Sequence, residues 1–232
     1  MEITINLNNV DIKVPTKTIT GIIFDNNEFS ITSDKKICIV KSHIHNQYYN
    51  KENRDLMQLE IKNRGLVLKD EEKKIIDSLK IVGLKSGTLN KNFSELSSSE
   101  KKLFMLALAL LDNAEVLIIK DPFLGLDLKN EKKLSILFRK MKDEYNKTII
   151  FITNDSEIIY KYAGHMIIIK EENILMEGIP SDVYQKISFL NRNKINIPDI
   201  VKVTYLAKKN KGIKIDYHKD VRDIIKDIYK HV

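Results

Sequence analysis

Glycine is missing from the part of the sequence where a phosphate-binding loop would lie. The 232 residues include eight glycines, and none of them falls between residues 22 and 64. The apolar run at residues 37–40 predicts a buried strand, and a loop that cradles phosphate would have to follow it. Such a loop needs glycine, because bulky residues do not readily adopt positive φ angles or let the backbone approach a phosphate. The sequence therefore argues against high-affinity phosphate binding here.

Cysteine and long apolar runs are also scarce. The one cysteine, Cys38, excludes an internal disulfide and a cysteine-based zinc site, and its apolar neighbours predict a buried, inert thiol. No apolar run approaches the roughly 20 residues that span a bilayer. Residues 1–7 alternate like a strand and lack the basic-then-apolar layout of a signal peptide. We therefore expect a cytoplasmic protein without a transmembrane segment of its own.

Negative charge is in deficit, since 32 acidic residues against 39 basic ones give a formal net charge of +7. The lysines are scattered, and few aromatic residues are interleaved with the richest cluster, at residues 208–211. Without a stacking platform we expect no nucleic-acid partner. A solvated lysine surface and attraction to an anionic lipid leaflet are the alternatives. His43 and His45 have no clear acidic or cysteine neighbour, so we predict no metal site.

The apolar pattern predicts strands that alternate with helices. Predicted strands cover residues 3–12, 19–24, 28–32, 37–40, 66–68, 116–119, 148–153, 165–170 and 174–178. Predicted helices cover residues 70–82, 101–111, 128–145, 156–162, 182–190, 198–209 and 221–232. This order indicates an α/β fold, with antiparallel strands at the N-terminus and then a mostly parallel sheet that helices cover on both faces. We divide the chain into a domain at residues 1–180 and a small C-terminal helical unit at residues 181–232.

The most informative segment runs from residue 93 to residue 127. A turn of small residues, Ser-Ser-Ser-Glu at positions 97–100, opens an apolar helix, and a later strand ends in Lys-Asp-Pro-Phe-Leu-Gly-Leu-Asp at positions 120–127. This order resembles the signature motif (Leu-Ser-Gly-Gly-Gln) and the Walker B segment (four apolar residues, then Asp-Glu-Pro-x-x-Gly-Leu-Asp) of ATP-binding cassette (ABC) ATPases. Taken alone, Ser97 and Glu100 also match a common helix-capping pattern, which is the alternative interpretation.

The resemblance implies an ABC ATPase-like domain, a P-loop NTPase fold, whose own nucleotide site is altered. Gln47 would stand at the phosphate-binding lysine and Tyr48 at the magnesium-binding hydroxyl. Lys120 would replace the magnesium-binding Asp. It either fills the charge vacancy of the missing cation or reaches solvent from the strand end. Asp121 takes the position of the general-base Glu, and Asn154 that of a histidine that contacts the γ-phosphate.

The residues that face a partner subunit in the resembled family are better kept. Two ABC domains sandwich ATP head to tail, so three serines would reach the ATP of the partner: Ser97, Ser98 and Ser99. Three loop residues would contact the partner subunit: Gly125, Leu126 and Asp127. Hydroxyl groups at a helix N-terminus can donate to phosphate, whereas the Glu100 carboxylate favours the helix dipole and repels an anion.

Two further segments bear on transport. Lys69 takes the place of the glutamine in the family's Gln loop, and Leu96 follows it by only 27 residues. The helical subdomain, at about residues 70–110, is therefore shortened, and this argues against ordinary coupling to a membrane subunit. The segment at residues 178–184 resembles the Gly-x-Pro-x-Glu-Val-Phe ending of ABC ATPases. The segment at residues 190–215 resembles the tail of the ATPases from energy-coupling factor transporters, which import vitamins and metal ions.

These observations predict a degenerate, non-catalytic ABC subunit of an energy-coupling factor type importer. We expect it at the inner face of the cell membrane with two partners, an intact ABC ATPase and a membrane transport subunit. ATP and Mg²⁺ would bind at the partner's site and not at this chain's own. The alternatives are a nucleotide-independent scaffold or regulator that keeps the ABC-ATPase fold as a binding surface, and an active ATPase with unusual residues.

Overall fold

The computed structural model describes residues 1–24, 30–40, 46–67, 69–211 and 216–229. The chain forms two compact units, of which the first consists of residues 1–32 and 151–232 and the second of residues 33–150. One boundary between them falls inside a strand, Thr148–Ile152. We predicted a different division, into residues 1–180 and 181–232, from the change to short helices after residue 180. That division stays a prediction.

The N-terminal strands of the first unit form an antiparallel hairpin. Strand β1 (Glu2–Leu7) pairs with β2 (Val10–Pro15), with Ile5 opposite Ile12. Asn8 and Asn9 connect them with φ angles of 46° and 68°, a conformation that asparagine adopts more readily than most residues. The prediction of one continuous strand at residues 3–12 is therefore wrong, because this pair reverses the chain.

A mostly parallel sheet forms the centre of the first unit. Its strands are β3 (Ile19–Phe24), β8 (His165–Lys170), β9 (Asn173–Gly178) and the last residues of β7 (Thr148–Ile152), in the order β7-β3-β8-β9. β3 and β8 are parallel, with Thr20 opposite His165, and β9 pairs antiparallel with β8. These strands lie close to their predicted bounds, because buried parallel strands are continuous apolar runs. The short strand β4 (Ile31–Ser33) instead lies next to β1.

Helix α5 (Ser156–Tyr162) packs closely on β3 at Gly21. A Cβ atom at position 21 would lie 2.8 Å from two side-chain carbons of Ile159, which is closer than packed atoms come. Only glycine allows this approach. The carboxylate of Asp155 accepts hydrogen bonds from the backbone N–H groups of Glu157 (3.0 Å) and Ile158 (3.2 Å), so the helix begins at its predicted residue.

Short helices follow the sheet of the first unit. They are α6 (Pro180–Tyr184), α7 (Ile187–Arg192), α8 (Asp199–Lys211) and α9 (Val221–Tyr229). The helix predicted at residues 182–190 is split between α6 and α7, with Pro180 at the first position of α6, where proline is favoured. The Tyr160 ring packs against the Tyr184 ring (centroids 5.9 Å apart), and the Tyr160 hydroxyl donates to the carbonyl of His218 (3.2 Å).

The second unit carries two parallel strands, β5 (Ile37–Val40) and β6 (Val116–Lys120), with the first residues of β7 next to β6. Its helices are α1 (Asn53–Asn63), α2 (Glu71–Ile81), α3 (Ser98–Leu110) and α4 (Leu128–Asp143). Single 3-10 turns lie at Asn46–Tyr48, Ser86–Asn90 and Phe93–Glu95. Cys38 in β5 is buried as predicted, and this burial raises the pKa of its thiol.

Two features of the second unit differ from expectation. Helix α1 lies in a polar stretch whose weak apolar periodicity predicts no helix. Three of its apolar residues, Leu56, Met57 and Ile61, are buried. Conversely, Leu66 and Val67 form no strand, and Val67 is fully exposed. The apolar residues at these positions therefore predicted a strand that the fold does not form.

Some sequence predictions lie outside the described residues. They concern the start of the strand at residues 28–32, the segment at residues 41–45 with His43 and His45, position 68, residues 212–215 and the last residues of the helix at 221–232.

Candidate functional site

The start of α3 is fixed by a capping box. Ser97 is its N-cap residue, and the Ser97 hydroxyl oxygen accepts a hydrogen bond from the Glu100 backbone N–H (3.3 Å). In return, Glu100 Oε2 accepts hydrogen bonds from the Ser97 backbone N–H (2.9 Å) and hydroxyl (2.7 Å). These two bonds lower the pKa of the Glu100 carboxyl, because they stabilise its charged form. The helix therefore begins at Ser98, three residues before its predicted start.

The turn before α3 is held in the same way and by ring packing. Asn92 and Glu95 form a second capping box around the 3-10 turn, with Glu95 Oε2 2.6 Å from the Asn92 backbone nitrogen. Phe93 is buried, and its ring centroid lies 5.4 Å from that of Tyr49 and 5.8 Å from that of Phe104. The backbone N–H of Ser94 donates to the Tyr49 carbonyl (2.9 Å). The segment around Tyr49 thus supports the turn that leads into α3.

The loop after β6 adopts two left-handed backbone conformations. Asp121 has a φ of 43°, which is uncommon for a residue other than glycine, and Gly125 has a φ of 77°. The intervening Phe123 is buried and packs edge-on against Phe138 of α4 (centroids 5.8 Å apart). Leu124 is 76% exposed, and Leu128, at the first position of α4, is 81% exposed. This loop therefore anchors one aromatic side chain and presents two leucines at the surface.

Lys102 ties α3 to this loop. Its Nζ atom donates to the carbonyl oxygens of Asp121 and Leu124, each at 2.8 Å. Burial lowers the pKa of Lys102 to about 8, although the nearby charge of Asp121 acts in the opposite direction. Lys102 is not among the site residues predicted from the sequence. Its spacing could have pointed to it, because a residue three positions after Ser99 lies on the same face of a helix as Ser99.

A second link joins the serines of α3 to the residue that caps α4. Asp127 is the N-cap of α4, and its Oδ1 accepts from the backbone N–H of Asn130 (2.8 Å). The Asn130 side-chain Nδ2 donates both to Asp127 Oδ2 (3.0 Å) and to Ser99 Oγ (3.1 Å). The fold thereby brings together most of the predicted site residues within the second unit: Ser97, Ser98, Ser99, Asp121, Gly125, Leu126 and Asp127. Asn130 is a further residue that sequence reasoning missed.

The chain resembles known ATP-binding subunits in sequence. It is 28% identical over 171 residues to the energy-coupling factor transporter ATP-binding protein EcfA2 of Streptococcus pyogenes serotype M28, an alignment that covers 73% of this chain and 60% of the relative. It is 29% identical over 162 residues to EcfA2 of Mycoplasma capricolum subsp. capricolum, covering 70% of this chain and 55% of that one. The chain thus spans about 60% or less of the length of these curated relatives. No protein-family model matches it.

Solved structures agree on the fold. The structure of cbiO1 from Clostridium perfringens, part of the ABC transporter complex cbiONQ, superposes with a TM-score of 0.64 at 20% identity, covering 84% of this chain and 90% of that one. A nucleotide-free ATP-binding cassette from an ABC transporter has the same TM-score of 0.64 at 16% identity, covering 82% and 96%. The chain has the fold of an ABC ATPase. Its sequence is similar to the ATP-binding subunits of energy-coupling factor transporters.

The ABC ATPase resemblance singles out four further positions, Gln47, Lys69, Lys120 and Asn154. Gln47 is exposed on the 3-10 turn at Asn46–Tyr48, and Lys69 is exposed before α2. Lys120 is half-buried at the end of β6. Asn154 is exposed after β7 and belongs to the first unit, whereas Asp121 belongs to the second.

Across residues 1–24, 30–40, 46–67, 69–211 and 216–229, no helix has the length and apolar character needed to cross a bilayer. In the same residues no group of three or more His, Cys, Asp or Glu side chains is placed to hold a metal ion.

Proposed function

We propose that this chain is a non-catalytic ATP-binding subunit of an energy-coupling factor type importer. It pairs with an intact ABC ATPase and offers the start of α3 to that partner's ATP. A membrane transport subunit completes the assembly, which places the chain at the inner face of the cell membrane. ATP and Mg²⁺ belong to the partner's site, and this chain supplies contacts rather than hydrolysis.

The observation that carries this proposal is the cross-linked geometry of α3 and the loop after β6. Lys102 and Asn130 hold the two segments together through four hydrogen bonds, which include the bond from Asn130 to Ser99. Leu124 and Leu128 are large apolar residues left exposed beside them. Exposed apolar side chains next to a rigid polar loop are what a subunit interface uses. These features favour a surface that is prepared for a partner.

The serines differ in what they can offer to a phosphate. The Ser97 hydroxyl and N–H already donate to Glu100, so Ser97 serves as the cap of the helix. Ser98 is exposed. Ser99 Oγ accepts its bond from Asn130, which leaves its O–H able to donate. We therefore assign the phosphate contact to Ser98 and Ser99 in the first place.

The absence of catalysis by the chain alone rests on its own nucleotide positions. No glycine lies between residues 22 and 64, and the magnesium-binding Asp of the family is replaced by Lys120. An ammonium at a cation site opposes Mg²⁺ electrostatically. Without the metal and the phosphate cradle, Asp121 has no water to activate.

One observation favours the alternative function of a nucleotide-independent scaffold. The Glu100 carboxylate occupies the N-terminus of α3 and takes the two donors of Ser97, so a negative group of the chain itself already fills this position. A helix N-terminus that is neutralised in this way attracts a second anion less strongly. In that case the apolar surface at Leu124 and Leu128 would bind a partner with or without ATP.

Co-purification from cells distinguishes the two functions. The tagged chain is isolated either with ATP and Mg²⁺ or with EDTA and no nucleotide. Captured proteins are identified by mass spectrometry, and their sequences are examined for the ABC motifs. The proposal expects an ABC ATPase with an intact glycine-rich loop and a membrane subunit, with more ATPase captured when ATP is present. The double substitution S98A/S99A should remove the nucleotide dependence and leave the fold intact. Pairing that is indifferent to ATP supports the scaffold.

A further inference from the structure

A cavity of about 390 Å³ lies in the second unit, between the end of α2, the first turns of α3 and the middle of α4. We call it the α4 cavity. Much of its wall is apolar and comes from these residues: Ile81, Val82, Leu103, Leu126, Leu134, Ile136 and Leu137. Ile136 is 55% exposed, and Ile81 is also partly open to solvent. The cavity thus has an apolar interior that the fold does not fill.

The charged residues that line the α4 cavity are all of one sign. Three lysines contribute to its wall, Lys102, Lys133 and Lys140, and no acidic residue does. The Lys140 ammonium lies 3.6 Å from Glu144, one turn further along α4. Within the part of the chain that the structure describes, Lys133 has no ion-pair partner. The polar groups of Ser99 and Asn130 complete the wall.

We infer that the α4 cavity binds a small organic anion with an apolar body, such as an aliphatic or aromatic carboxylate, sulfonate or phosphate ester. Its volume lies in the range of about 300–1,000 Å³ that small-molecule sites occupy. The leucine and isoleucine side chains remove the body of the ligand from water. The ammonium groups of Lys133 and Lys140 pair with its charged end.

The size and the charge of the cavity decide between this occupant and a peptide. A peptide helix that docks in a groove needs anchoring pockets at successive turns, so it uses an extended surface rather than one compact cavity. A purely apolar ligand would leave the lysines without a role. An anion of small-molecule size satisfies both features, since the apolar side chains and the lysines line the same cavity.

The test uses two fluorescent probes and the isolated chain. One probe is 8-anilino-1-naphthalenesulfonate, an aromatic anion, and the other is N-phenyl-1-naphthylamine, which has the same aromatic body and no sulfonate. The two probes are titrated into the wild-type chain and into the double variant K133Q/K140Q. The control K129Q/K132Q removes the same charge from the same helix, at exposed positions outside the cavity wall.

The inference expects that K133Q/K140Q weakens binding of the sulfonate probe by about tenfold, because two ion pairs at the cavity wall are lost. K129Q/K132Q should change its affinity less than twofold, and neither variant should affect the neutral probe. The variant L137W, which fills the cavity, should weaken both probes. Equal effects of the two lysine variants, or equal binding of the two probes by wild type, would overturn the inference. Binding that survives in a folded L137W places the probe elsewhere and also overturns it. Because no partner is present, the outcome is independent of whether the chain pairs with an ATPase.

Discussion

Two parts of the second unit differ in how their loops are held. The start of α3 and the loop after β6 are cross-linked by side chains, with Lys102 and Asn130 spanning the two segments. The turn at Asn46–Tyr48, where the ABC ATPase resemblance places the phosphate-binding side chains, presents Gln47 to solvent. The segment that follows it serves α3 instead, through the contact of Tyr49 with Phe93. The comparison indicates that the contact of Tyr49 with Phe93 and the bonds of Lys102 and Asn130 all help to fix the start of α3.

The largest effect is expected from Phe93, the residue at which the two regions meet. Phe93 is 2% exposed and packs against both Tyr49 and Phe104. The substitution F93A should lower the free energy of unfolding by about 3–5 kcal/mol, because it leaves a cavity under both turns. Urea denaturation measures this change, and F93L is the matched control, with a smaller loss. A loss below about 1 kcal/mol for F93A would show that the regions are held independently.

The next effect is expected from Lys102, which acts on the loop after β6 only. K102M removes the donor to the carbonyl oxygens of Asp121 and Leu124, so these groups lose a charged hydrogen bond. We expect a loss of about 2 kcal/mol in the free energy of unfolding, and faster amide exchange at residues 121–126. The exposed Lys129 provides the control K129M. Unchanged exchange in K102M would contradict the role assigned to this lysine.

A smaller effect is expected from the cap of α4. D127A removes the acceptor for the Asn130 N–H and the partner of the Asn130 side chain. We expect a loss of about 1 kcal/mol, whereas D127N, which still caps the helix, should stay within a few tenths. Thermal unfolding of both variants measures the difference. If D127N is as unstable as D127A, the Asp127 charge, rather than the cap, is what matters.

The pH dependence of stability isolates the burial of Lys102. Its pKa is about 8 in the folded protein and 10.5 in the ordinary case, so between these values the unfolded chain binds more protons than the folded one. The free energy of unfolding therefore rises with pH in this window. The slope should remain below about 1.4 kcal/mol per pH unit, the value for a fully titrating group, because part of the side chain faces solvent. The measurement is the difference in free energy of unfolding between wild type and K102M from pH 7.5 to 10. A difference that stays constant over this range would contradict the lowered pKa of Lys102.

The smallest effect is expected at the other region. Restoring the family's side chains with Q47K and Y48S should not produce ATP hydrolysis by the chain alone, since no glycine precedes them after residue 21. A coupled phosphate-release assay with Mg²⁺ measures the activity. The matched variant adds K120D to the pair, and it too should stay inactive. ATP hydrolysis by either variant would support the alternative of an active ATPase with unusual residues.

Prediction from the sequence succeeded where local pattern and burial coincide. The bounds of β5, α5 and β8 match those predicted, because each is either a continuous apolar run or a helix that opens at a capping residue. Prediction from the sequence failed where few residues distinguish one kind of element from another. Helix α1 has few buried apolar residues, and the Asn8-Asn9 turn looked like the interior of one strand. Both signals were present in the sequence but were too weak to decide between alternatives.

The candidate site shows the same limit. Ser97 and Glu100 were recognisable as a helix start, because capping is an interaction between residues three apart. The bonds from Lys102 to the loop after β6 and from Asn130 to Ser99 join residues 19 or more positions apart. No local pattern encodes such contacts.

The sequence by itself determined the α/β fold, the absence of glycine between residues 22 and 64 and the order of the signature-like turn and the loop after β6. These depend on residue type and on short spacing, which the chain carries in any conformation. Only the tertiary structure decided that Lys102 and Asn130 join these segments. It also decided that three lysines and no acidic residue line the α4 cavity. Such features arise when packing brings distant residues within hydrogen-bond range, and packing is a property of the folded chain.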